Sequence, residues 1–321
     1  MWHNRREMEE RTSIKPVVEQ AVILALLRDI FGEPIEDLAP VAGGITAQTL
    51  SFKVGAQEYI LRFTTSSIDA SYQKEAFIYQ HFATARIPIP PVLKVGQLRD
   101  VYYAVSRKLP GRGLEFLSRA EYEQTVPSIV ETLVAIHQVD VSRWQDYGWL
   151  DDSGIGMFPS WHRFIARIIE EERPDGFYGK WHELFRTSFL EREFFESVYG
   201  HLLRLLQFCP EERYLVHGEY GYNNVLALDG RVTAVLDWID AMYGDPLYDV
   251  AVLSFWPRHD IDFPEILRQH YSNHGMVFPH YWERIVCYQC YMGLDALRFF
   301  AKTNDRKAYE STCQILRKLL T

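Results

Sequence analysis

The segment 215–240 of this 321-residue chain constrains the fold more than any other part of the sequence. Two short apolar runs, 225–228 and 232–236, flank the dipeptide Asp229-Gly230. Apolar runs around Asp-Gly predict a β-hairpin with a tight turn. Because a hairpin returns its second end beside its first, residues just before and just after it are expected to meet.

Acidic and amide side chains stand at both ends of the predicted hairpin. Glu219 and Asn224 precede it, five residues apart, and Asp237 follows it. Oxygen atoms of carboxylates and amides bind Mg²⁺ beside phosphate groups, and an acid orients the attacking hydroxyl in phosphoryl transfer. We therefore predict that these three residues form a catalytic site for phosphoryl transfer.

The order His217-Gly218-Glu219, Asn224 and Asp237 resembles the catalytic loop and metal-binding aspartate of the aminoglycoside phosphotransferase family. Further similar stretches are YILRF at 59–63, IPIPPVL at 87–93, GIGMFPSW at 154–161, MYGDPLYDVA at 242–251 and YMGLDAL at 291–297. The resemblance runs from about residue 40 to near the C terminus. It implies an α+β, two-lobed protein-kinase-like fold that uses ATP and Mg²⁺, with Asn224 and Asp237 as the metal ligands.

Family members usually have Asp where this chain has Glu219, although the spacing to Asn224 is the same. The extra methylene can move the carboxylate by about 1 Å, and such a displacement can lower a rate by about 100-fold. Three interpretations stay open. Glu219 is the natural base of a slightly wider site, or the substitution has produced an inactive form. The third interpretation is that the enzyme is slow toward the aminoglycoside antibiotics of this family and serves another acceptor.

The order of predicted elements divides the chain into two lobes. Residues 1–108 are predicted to form a nucleotide-binding lobe with a small antiparallel sheet, and residues 109–321 a mainly helical catalytic and substrate-binding lobe. The first lobe is predicted to have helices at about 16–31 and 71–83 and strands on both sides of Gly43-Gly44 and at 57–63, 92–96 and 101–107. The second is predicted to have helices at 121–139, 161–172 and 191–208 and a helical remainder.

Four residues of the first lobe are predicted to hold the nucleotide phosphates. Gly43 and Gly44 can bring backbone amides close to phosphate oxygens, although any tight hairpin could use them. Arg62 stands on a strand where kinase-like families usually have a phosphate-binding Lys, and Glu75 on the next helix would hold it. The alternative for Arg62 and Glu75 is an ordinary surface pair. A P-loop kinase is disfavoured because its G-x-x-x-x-G-K-[ST] motif is missing.

The resemblance also implies that the backbone at 105–109 contacts adenine, with Arg107 and Leu109 as the predicted contact positions. A cationic acceptor would be bound by carboxylates and aromatic faces. The predicted acceptor contacts are Asp240, Glu171, Glu172, Asp175 and Trp256. Each has an equally good alternative as a surface acid or a packed aromatic residue.

Net charge and apolar runs limit the partners. The formal net charge is −9 without a basic block, which argues against nucleic acid. It suits a cationic substrate, although general solubility explains it as well. The apolar run 21–27 is too short to span a bilayer, so we expect a cytoplasmic protein with no membrane partner. We also expect a monomer or weak dimer. Cys287 and Cys290 have no second cysteine pair and are expected to be core thiols.

The leading expectation is transfer of the ATP γ-phosphate to a hydroxyl of an aminocyclitol of the hygromycin B type. The same reaction on a metabolite such as a sugar or amino alcohol stays open, as does a nucleotide-binding protein without turnover. A hydrolase that uses the carboxylates of Glu219 and Asp237 would need no nucleotide. It would leave Asn224, Arg62 and Glu75 unexplained.

Overall fold

A five-stranded antiparallel sheet forms the first lobe of the computed structural model, which describes residues 15–41, 47–65, 72–174, 176–257 and 259–320. The strands lie in the order β1-β2-β3-β5-β4. They are β1 (Glu36–Pro40), β2 (Gln48–Val54), β3 (Gln57–Thr65), β4 (Val92–Leu98) and β5 (Val101–Arg107). Alternate residues of β2 and β3 are buried, because one face of the sheet covers a core.

Helix α1 (Gln20–Phe31) covers the apolar face of this sheet. It begins later than the predicted residue 16, because Glu19 is still extended, with φ −65° and ψ 143°. In the segment before it, the Val18 N–H donates to Gln48 Oε1 at 2.8 Å. It ends at Gly32, whose positive φ of 66° lets its N–H donate to Arg28 O. The strands of this lobe are present as predicted, with ends shifted by a few residues. Gly43 and Gly44 lie outside the described residues.

Helix α2 (Tyr72–Phe82) follows β3 in the sequence but packs into the core of the second lobe. Its buried residues Ile78 and Phe82 belong to the same apolar cluster as the helices of the second lobe. The sheet of the first lobe has a separate, smaller cluster. The division at residue 108 therefore stays a prediction. Helix α2 lies between the two clusters, because it also contacts β4 and β5 of the sheet.

The second lobe is mainly helical, as predicted. Its helices are α3 (Arg119–His137), α4 (Trp161–Ala166), α5 (Leu184–Thr187), α6 (Arg192–Leu206), α7 (Leu247–Phe255), α8 (Phe263–Asn273), α9 (Tyr281–Lys302) and α10 (Arg306–Leu319). Helix α9 is central, because it contacts α6, α7 and α10. Cys287 and Cys290 lie on α9 as buried free thiols, which confirms their predicted place in the core. No helix in the described ranges is long and apolar enough to cross a membrane.

Two short sheets complete the second lobe. In one, β6 (Arg112–Gly113) and β11 (Arg231–Val235) flank β10 (Val225–Leu228). Asp229 and Gly230 both have positive φ, 50° and 74°, as a type I′ turn requires, so the predicted hairpin is confirmed. The other sheet has the order β8-β7-β12-β9 and consists of β7 (Tyr147–Leu150), β8 (Gly156–Phe158), β9 (Tyr214–Val216) and β12 (Met242–Gly244).

The predicted helix at 161–172 is wrong in its second half. Helix α4 ends at Ala166, and after one further tight turn Glu170 is extended, with φ −79° and ψ 149°. Trp181 Nε1 donates to Glu170 O at 2.8 Å, and His182 Nε2 lies 2.7 Å from Ile169 O. These side chains occupy carbonyl groups that another helical turn would need.

Candidate active site

The loop between β9 and β10 brings Glu219 and Asn224 into contact. Asn224 Nδ2 donates to the backbone O of Glu219 at 3.0 Å and lies 3.4 Å from Glu219 Oε2. The Leu236 N–H donates to Asn224 O at 2.7 Å. This bond joins the start of the hairpin to its end, where Asp237 follows. The predicted meeting of the three residues at one end of the hairpin is therefore present.

Asp237 has a left-handed backbone conformation, with φ 59° and ψ 68°, and is followed by the tight turn Trp238–Asp240. Trp238 is buried, and its Nε1 donates to Val235 O at 3.1 Å. The side chain of Asp237 is exposed. The indole thus anchors a turn, called the metal turn below (residues 237–240), that leaves the Asp237 carboxylate accessible.

Buried hydrogen bonds hold the start of the loop between β9 and β10 (residues 217–224), called the catalytic loop below. Asp249 accepts from the backbone N–H groups of His217 and Gly218, both at 2.9 Å. His137 Nε2 lies 3.0 Å from Asp249 Oδ2, and both side chains are fully buried. His217 Nε2 lies 2.9 Å from Leu236 O, and burial lowers the pKa of His217. The lowered pKa favours the neutral ring, and the contact with Leu236 O fixes its orientation.

Gly218 connects the catalytic loop to the metal turn. Its φ is +88°, and a Cβ added there would overlap the backbone O of Asp240. A side chain at this position would be strained by the positive φ and would also push the two loops apart. The approach of the two loops therefore requires glycine.

The acids of the site raise one another's pKa. Burial raises the pKa of Glu219, and the charges of Asp240 and Asp237 raise it further, against the hydrogen bond from Asn224. Glu219 has an exposed face, and water on that side limits the rise. Burial and the charge of Asp237 also raise the pKa of Asp240, while the charge of Lys74 lowers it. Crowded carboxylates of this kind favour a nearby cation.

Arg62 on β3 and Glu75 on α2 form a two-point ion pair. Arg62 Nη1 donates to Glu75 Oε1 at 3.0 Å, and Nη2 contacts Oε2. The guanidinium lies 5.0 Å from the centre of the Tyr72 ring. Burial raises the pKa of Tyr72, which also lies within the electrostatic influence of Arg62, Glu75 and Asp237. The ion pair and the metal turn therefore border the same region.

The connection between the lobes follows β5. The Arg107 N–H donates to Pro91 O at 2.9 Å, and the Lys108 N–H donates to Glu58 O at 3.0 Å. The backbone N–H of Arg107 thus already has an acceptor. An adenine base could therefore form a hydrogen bond only with the backbone carbonyl of this residue. Leu109, which comes next, is half-buried.

The donor atoms at the hairpin suit Mg²⁺. Within the described part of the chain, no group of three or more His, Cys, Asp or Glu could hold a metal ion, so an all-protein cage of these residues is not present there. Mg²⁺ usually takes one or two protein oxygens and completes its shell with water and substrate phosphates. Asn224 directs Nδ2 to Glu219, which leaves its Oδ1 for such an ion. The exposed carboxylate of Asp237 is the second oxygen donor at this end of the hairpin.

Residues 37–282, more than half of the chain, match the model of the phosphotransferase enzyme family. The chain belongs to the phosphotransferase enzyme family. Hygromycin-B 4-O-kinase of Escherichia coli is 34 % identical to it over 228 residues, which are 70 % of this chain and 63 % of that kinase. The chain thus matches less than two thirds of the length of this relative.

Solved structures of family members agree with this fold. Aminoglycoside phosphotransferase APH(4)-Ia superposes with a TM-score of 0.79 at 28 % identity, covering 94 % of this chain and 98 % of that chain. A ternary complex of its thermostable mutant with AMP-PNP and hygromycin B has a TM-score of 0.77 at 29 % identity, covering 93 % and 97 %. The predicted two-lobed, protein-kinase-like α+β fold is confirmed.

The predicted acceptor contacts of this family member lie in different places. Asp240 is part of the acidic group with Glu219. Glu172 Oε1 lies 3.4 Å from Arg298 on α9, whereas Glu171 lies 3.9 Å from His182. Trp256 ends α7, where its ring packs edge-on against Phe255. Asp175 lies outside the described residues.

Two residues of the site were not found from the sequence. Asp295 on α9 accepts from Arg298 at 2.8 Å, and its side chain is 45 % exposed. Beyond burial and the nearer acids, its charge raises the pKa of Glu219 and Asp240. Asp295 lies within the YMGLDAL stretch that carries the family resemblance, so that motif was an available signal. The other residue, Lys74 on α2, has no local sequence signal.

Proposed function

We propose that this phosphotransferase-family chain transfers the γ-phosphate of ATP, with Mg²⁺, to a hydroxyl of a small cationic aminocyclitol. Hygromycin B is the first acceptor to test. The observation that carries the proposal is the grouping of Glu219, Asn224 and Asp237 at the mouth of one hairpin. Similarity to hygromycin-B 4-O-kinase and to a relative solved with AMP-PNP and hygromycin B supports it.

Arg62 would bind the nucleotide phosphates, and Glu75 would keep the guanidinium in place. The Arg62 side chain is 24 % exposed, so donor groups on its open edge stay accessible. A guanidinium held at two points can still offer hydrogen bonds to phosphate oxygens. Gly43 and Gly44 would add backbone amides to the same phosphates.

The connection after β5 would bind the adenine. Since the amide of Arg107 donates to Pro91, its carbonyl would accept from the base, and Leu109 would supply the second backbone contact. Backbone groups can recognise the hydrogen-bonding edge of a purine whatever their side chains are. A substitution of either side chain is therefore a weak test of this assignment.

Asn224 Oδ1 and the Asp237 carboxylate would hold Mg²⁺, which neutralises charge on the transferring phosphate. The hydrogen bond from Asn224 to Glu219 fixes which atom of the amide faces the ion. The left-handed conformation of Asp237 determines where its carboxylate stands. The chain thus supplies position and two oxygen atoms, in keeping with the preference of Mg²⁺ for few protein ligands.

Glu219 would orient the acceptor hydroxyl and accept its proton. A general base works best when its pKa is near the working pH, and burial with neighbouring acids raises the pKa of Glu219 in that direction. The longer side chain, compared with Asp, would place the acceptor about 1 Å farther out. Glu219 is therefore the residue by which acceptor choice would differ from Asp-containing relatives.

Amino groups of the acceptor would meet the acids beyond Glu219. Asp240 belongs to this acidic group, and Asp295 and Glu172 stand next to Arg298. Carboxylates around a cleft attract a polycationic ligand and increase its rate of association. Glu171 and Trp256 are also proposed as acceptor contacts, and their described contacts are with His182 and Phe255.

The test is ADP release in a coupled assay with Mg-ATP and hygromycin B, followed by mass spectrometry of the acceptor. Wild type would run beside Glu219→Gln, Asp237→Asn and the control Asp100→Asn, which changes an exposed turn residue. We expect turnover in wild type and control, and a loss of about 100-fold or more in the two site variants. Full activity in Asp237→Asn would reject the assigned site.

A Glu219→Asp variant separates the interpretations of this residue. Equal or lower activity than wild type would make Glu219 a working base. Activity only in Glu219→Asp would show that Glu219 silences the site. If both forms bind ATP and neither phosphorylates an aminocyclitol, the acceptor is of another class, and a panel of sugars and amino alcohols becomes the next test.

The proposed location follows from the proposed use of ATP. We propose a cytoplasmic protein, since ATP and Mg²⁺ are supplied there, and the free state of all four cysteines is compatible with a reducing compartment. A monomer or weak dimer stays the prediction for assembly. Light scattering during size-exclusion chromatography would test it against the 37.6 kDa mass of one chain.

A further inference from the structure

Lys74 is a buried lysine beside the metal turn. It lies on α2, one residue before Glu75, and is only 8 % exposed. Its Nζ donates to the backbone O of Ile239 at 2.8 Å. Ile239 is in the metal turn, between Asp237 and Asp240. Lysine is rarely buried, because removing its charge from water is costly unless the charge is compensated.

The helix that carries Lys74 is held by the second lobe. Ile78 and Phe82 on its inner face belong to the large apolar cluster. Phe77 packs so closely against Gly154, in the loop between β7 and β8, that a Cβ on this glycine would overlap the Phe77 ring. Phe77 also meets Trp144 edge-on at 6.0 Å. Helix α2 is therefore a rigid support for side chains on its other faces.

Two neighbouring residues of α2 serve two parts of the site. Consecutive residues of a helix point in directions about 100° apart. Glu75 contacts Arg62 on the sheet, and Lys74 contacts Ile239 in the metal turn. One rigid helix thus sets the position of both the phosphate-binding arginine and the turn that carries Asp237.

The metal turn needs support from outside. Asp237 has a left-handed conformation, which costs free energy for a residue with a Cβ. On one side the turn meets Gly218 through Asp240 O. On another side Lys74 holds the carbonyl of Ile239 and brings a positive charge to a region with the acids Asp237 and Asp240.

We propose that Lys74 is a positioning residue for Mg²⁺. It holds the peptide carbonyl two residues after Asp237 and thereby sets where the Asp237 carboxylate stands. This inference rests on the proposed function, since it assigns Asp237 as a metal ligand. Groups that act on a metal site through its ligands commonly change metal affinity or activity by about 10- to 100-fold when they are removed.

The test compares Lys74→Met, which keeps the aliphatic length without donor or charge, with Lys74→Gln and the control Lys94→Met on the exposed part of β4. Two quantities are measured: the Mg²⁺ concentration for half-maximal turnover at saturating ATP, and the affinity for ATP in EDTA. We expect Lys74→Met to raise the Mg²⁺ requirement by about 10-fold. ATP affinity in EDTA should stay within about twofold, because Arg62 and Glu75 are unchanged, and Lys94→Met should resemble wild type in both.

An unchanged Mg²⁺ requirement in folded Lys74→Met would overturn the proposal. An equal loss of ATP affinity in EDTA would also overturn it, because that result describes general damage to α2. Lys74→Gln keeps a hydrogen-bond donor without the charge and should lie between wild type and Lys74→Met. If Lys74→Met does not fold, Lys74→Leu, which also lacks a donor and a charge, decides by the same two criteria. If wild type itself shows no turnover, the proposed function fails, and the Mg²⁺ dependence of ATP binding, measured by calorimetry, still tests Lys74.

Discussion

His137 Nε2 lies 3.0 Å from Asp249 Oδ2, with both side chains fully buried. The same carboxylate accepts the backbone N–H groups of His217 and Gly218. Asp249 therefore joins helix α3, helix α7 and the catalytic loop in one buried network. Networks of this kind are stable only while every member has its partner.

Asp249→Ala should destabilise the protein and release the catalytic loop. The substitution leaves two backbone N–H groups and His137 without their acceptor, and an unsatisfied buried group costs about 1–3 kcal/mol. We expect the free energy of unfolding to fall by about 3 kcal/mol or more in urea denaturation. Asp100→Ala, at an exposed turn, is the control. A loss below about 1 kcal/mol would show that the loop does not depend on Asp249.

Arg284→Met should be strongly destabilising. Arg284 donates to Asp245 through Nε at 2.7 Å and Nη2 at 2.6 Å, and both side chains are buried. Removing one partner leaves an uncompensated buried charge, which costs about 3–5 kcal/mol. The double variant with Asp245→Asn should recover part of the loss in thermal unfolding. Arg268→Met, which breaks an exposed pair, should change little, and an equal effect of both single variants would contradict the argument.

Gly218→Ala should damage the site more than Gly275→Ala, although both glycines have positive φ. A Cβ at Gly218 would overlap Asp240 O, whereas nothing lies within 4 Å of a Cβ at Gly275. Both substitutions add backbone strain of about 1 kcal/mol, but only the first separates the catalytic loop from the metal turn. We expect kcat to fall by about 100-fold for Gly218→Ala and to stay near wild type for Gly275→Ala. Equal kcat values would disprove the contact.

Glu219→Gln should stabilise the nucleotide-free protein, and the gain should grow with pH. Burial and neighbouring acids raise the pKa of Glu219 in the folded state, so the folded protein binds a proton that the unfolded chain has already released. The stability associated with this proton is complete at low pH and is lost as pH rises through the raised pKa. The difference in melting temperature between variant and wild type should therefore increase from about pH 5 to about pH 8. A difference that shrinks over this range would mean that the pKa is lowered.

Local patterns predicted most of the fold. Asp229-Gly230 predicted the hairpin because a type I′ turn depends on just those two residues. The strands of the sheet and the end of α1 at Gly32 were also predictable from alternation and from glycine. The same local information brought Glu219, Asn224 and Asp237 together, because a hairpin fixes its own ends. Their chemical roles stay predictions until the variants are assayed.

Contacts between distant segments were not predictable. Lys74 and Ile239 are 165 residues apart, and nothing near Lys74 in the sequence distinguishes it from a surface lysine. The early end of α4 depends on Trp181 and His182, which bind the carbonyls of residues 169 and 170 from outside the helix. The apolar periodicity of a helix indicates which of its faces is buried. It carries no information on side chains from other segments that bind the carbonyl groups at the end of the helix.

The place of α2 also determines how the molecule can be divided. Ile78, Phe82, Ile87 and Ile89 complete an apolar cluster whose other members come later in the chain. A C-terminal fragment that begins at residue 109 would lack α2. It would expose the apolar surface that α2 covers and would be prone to aggregate. No single break keeps both clusters whole, because β4 and β5 follow α2 in the chain and a break before α2 would separate β5 from β3.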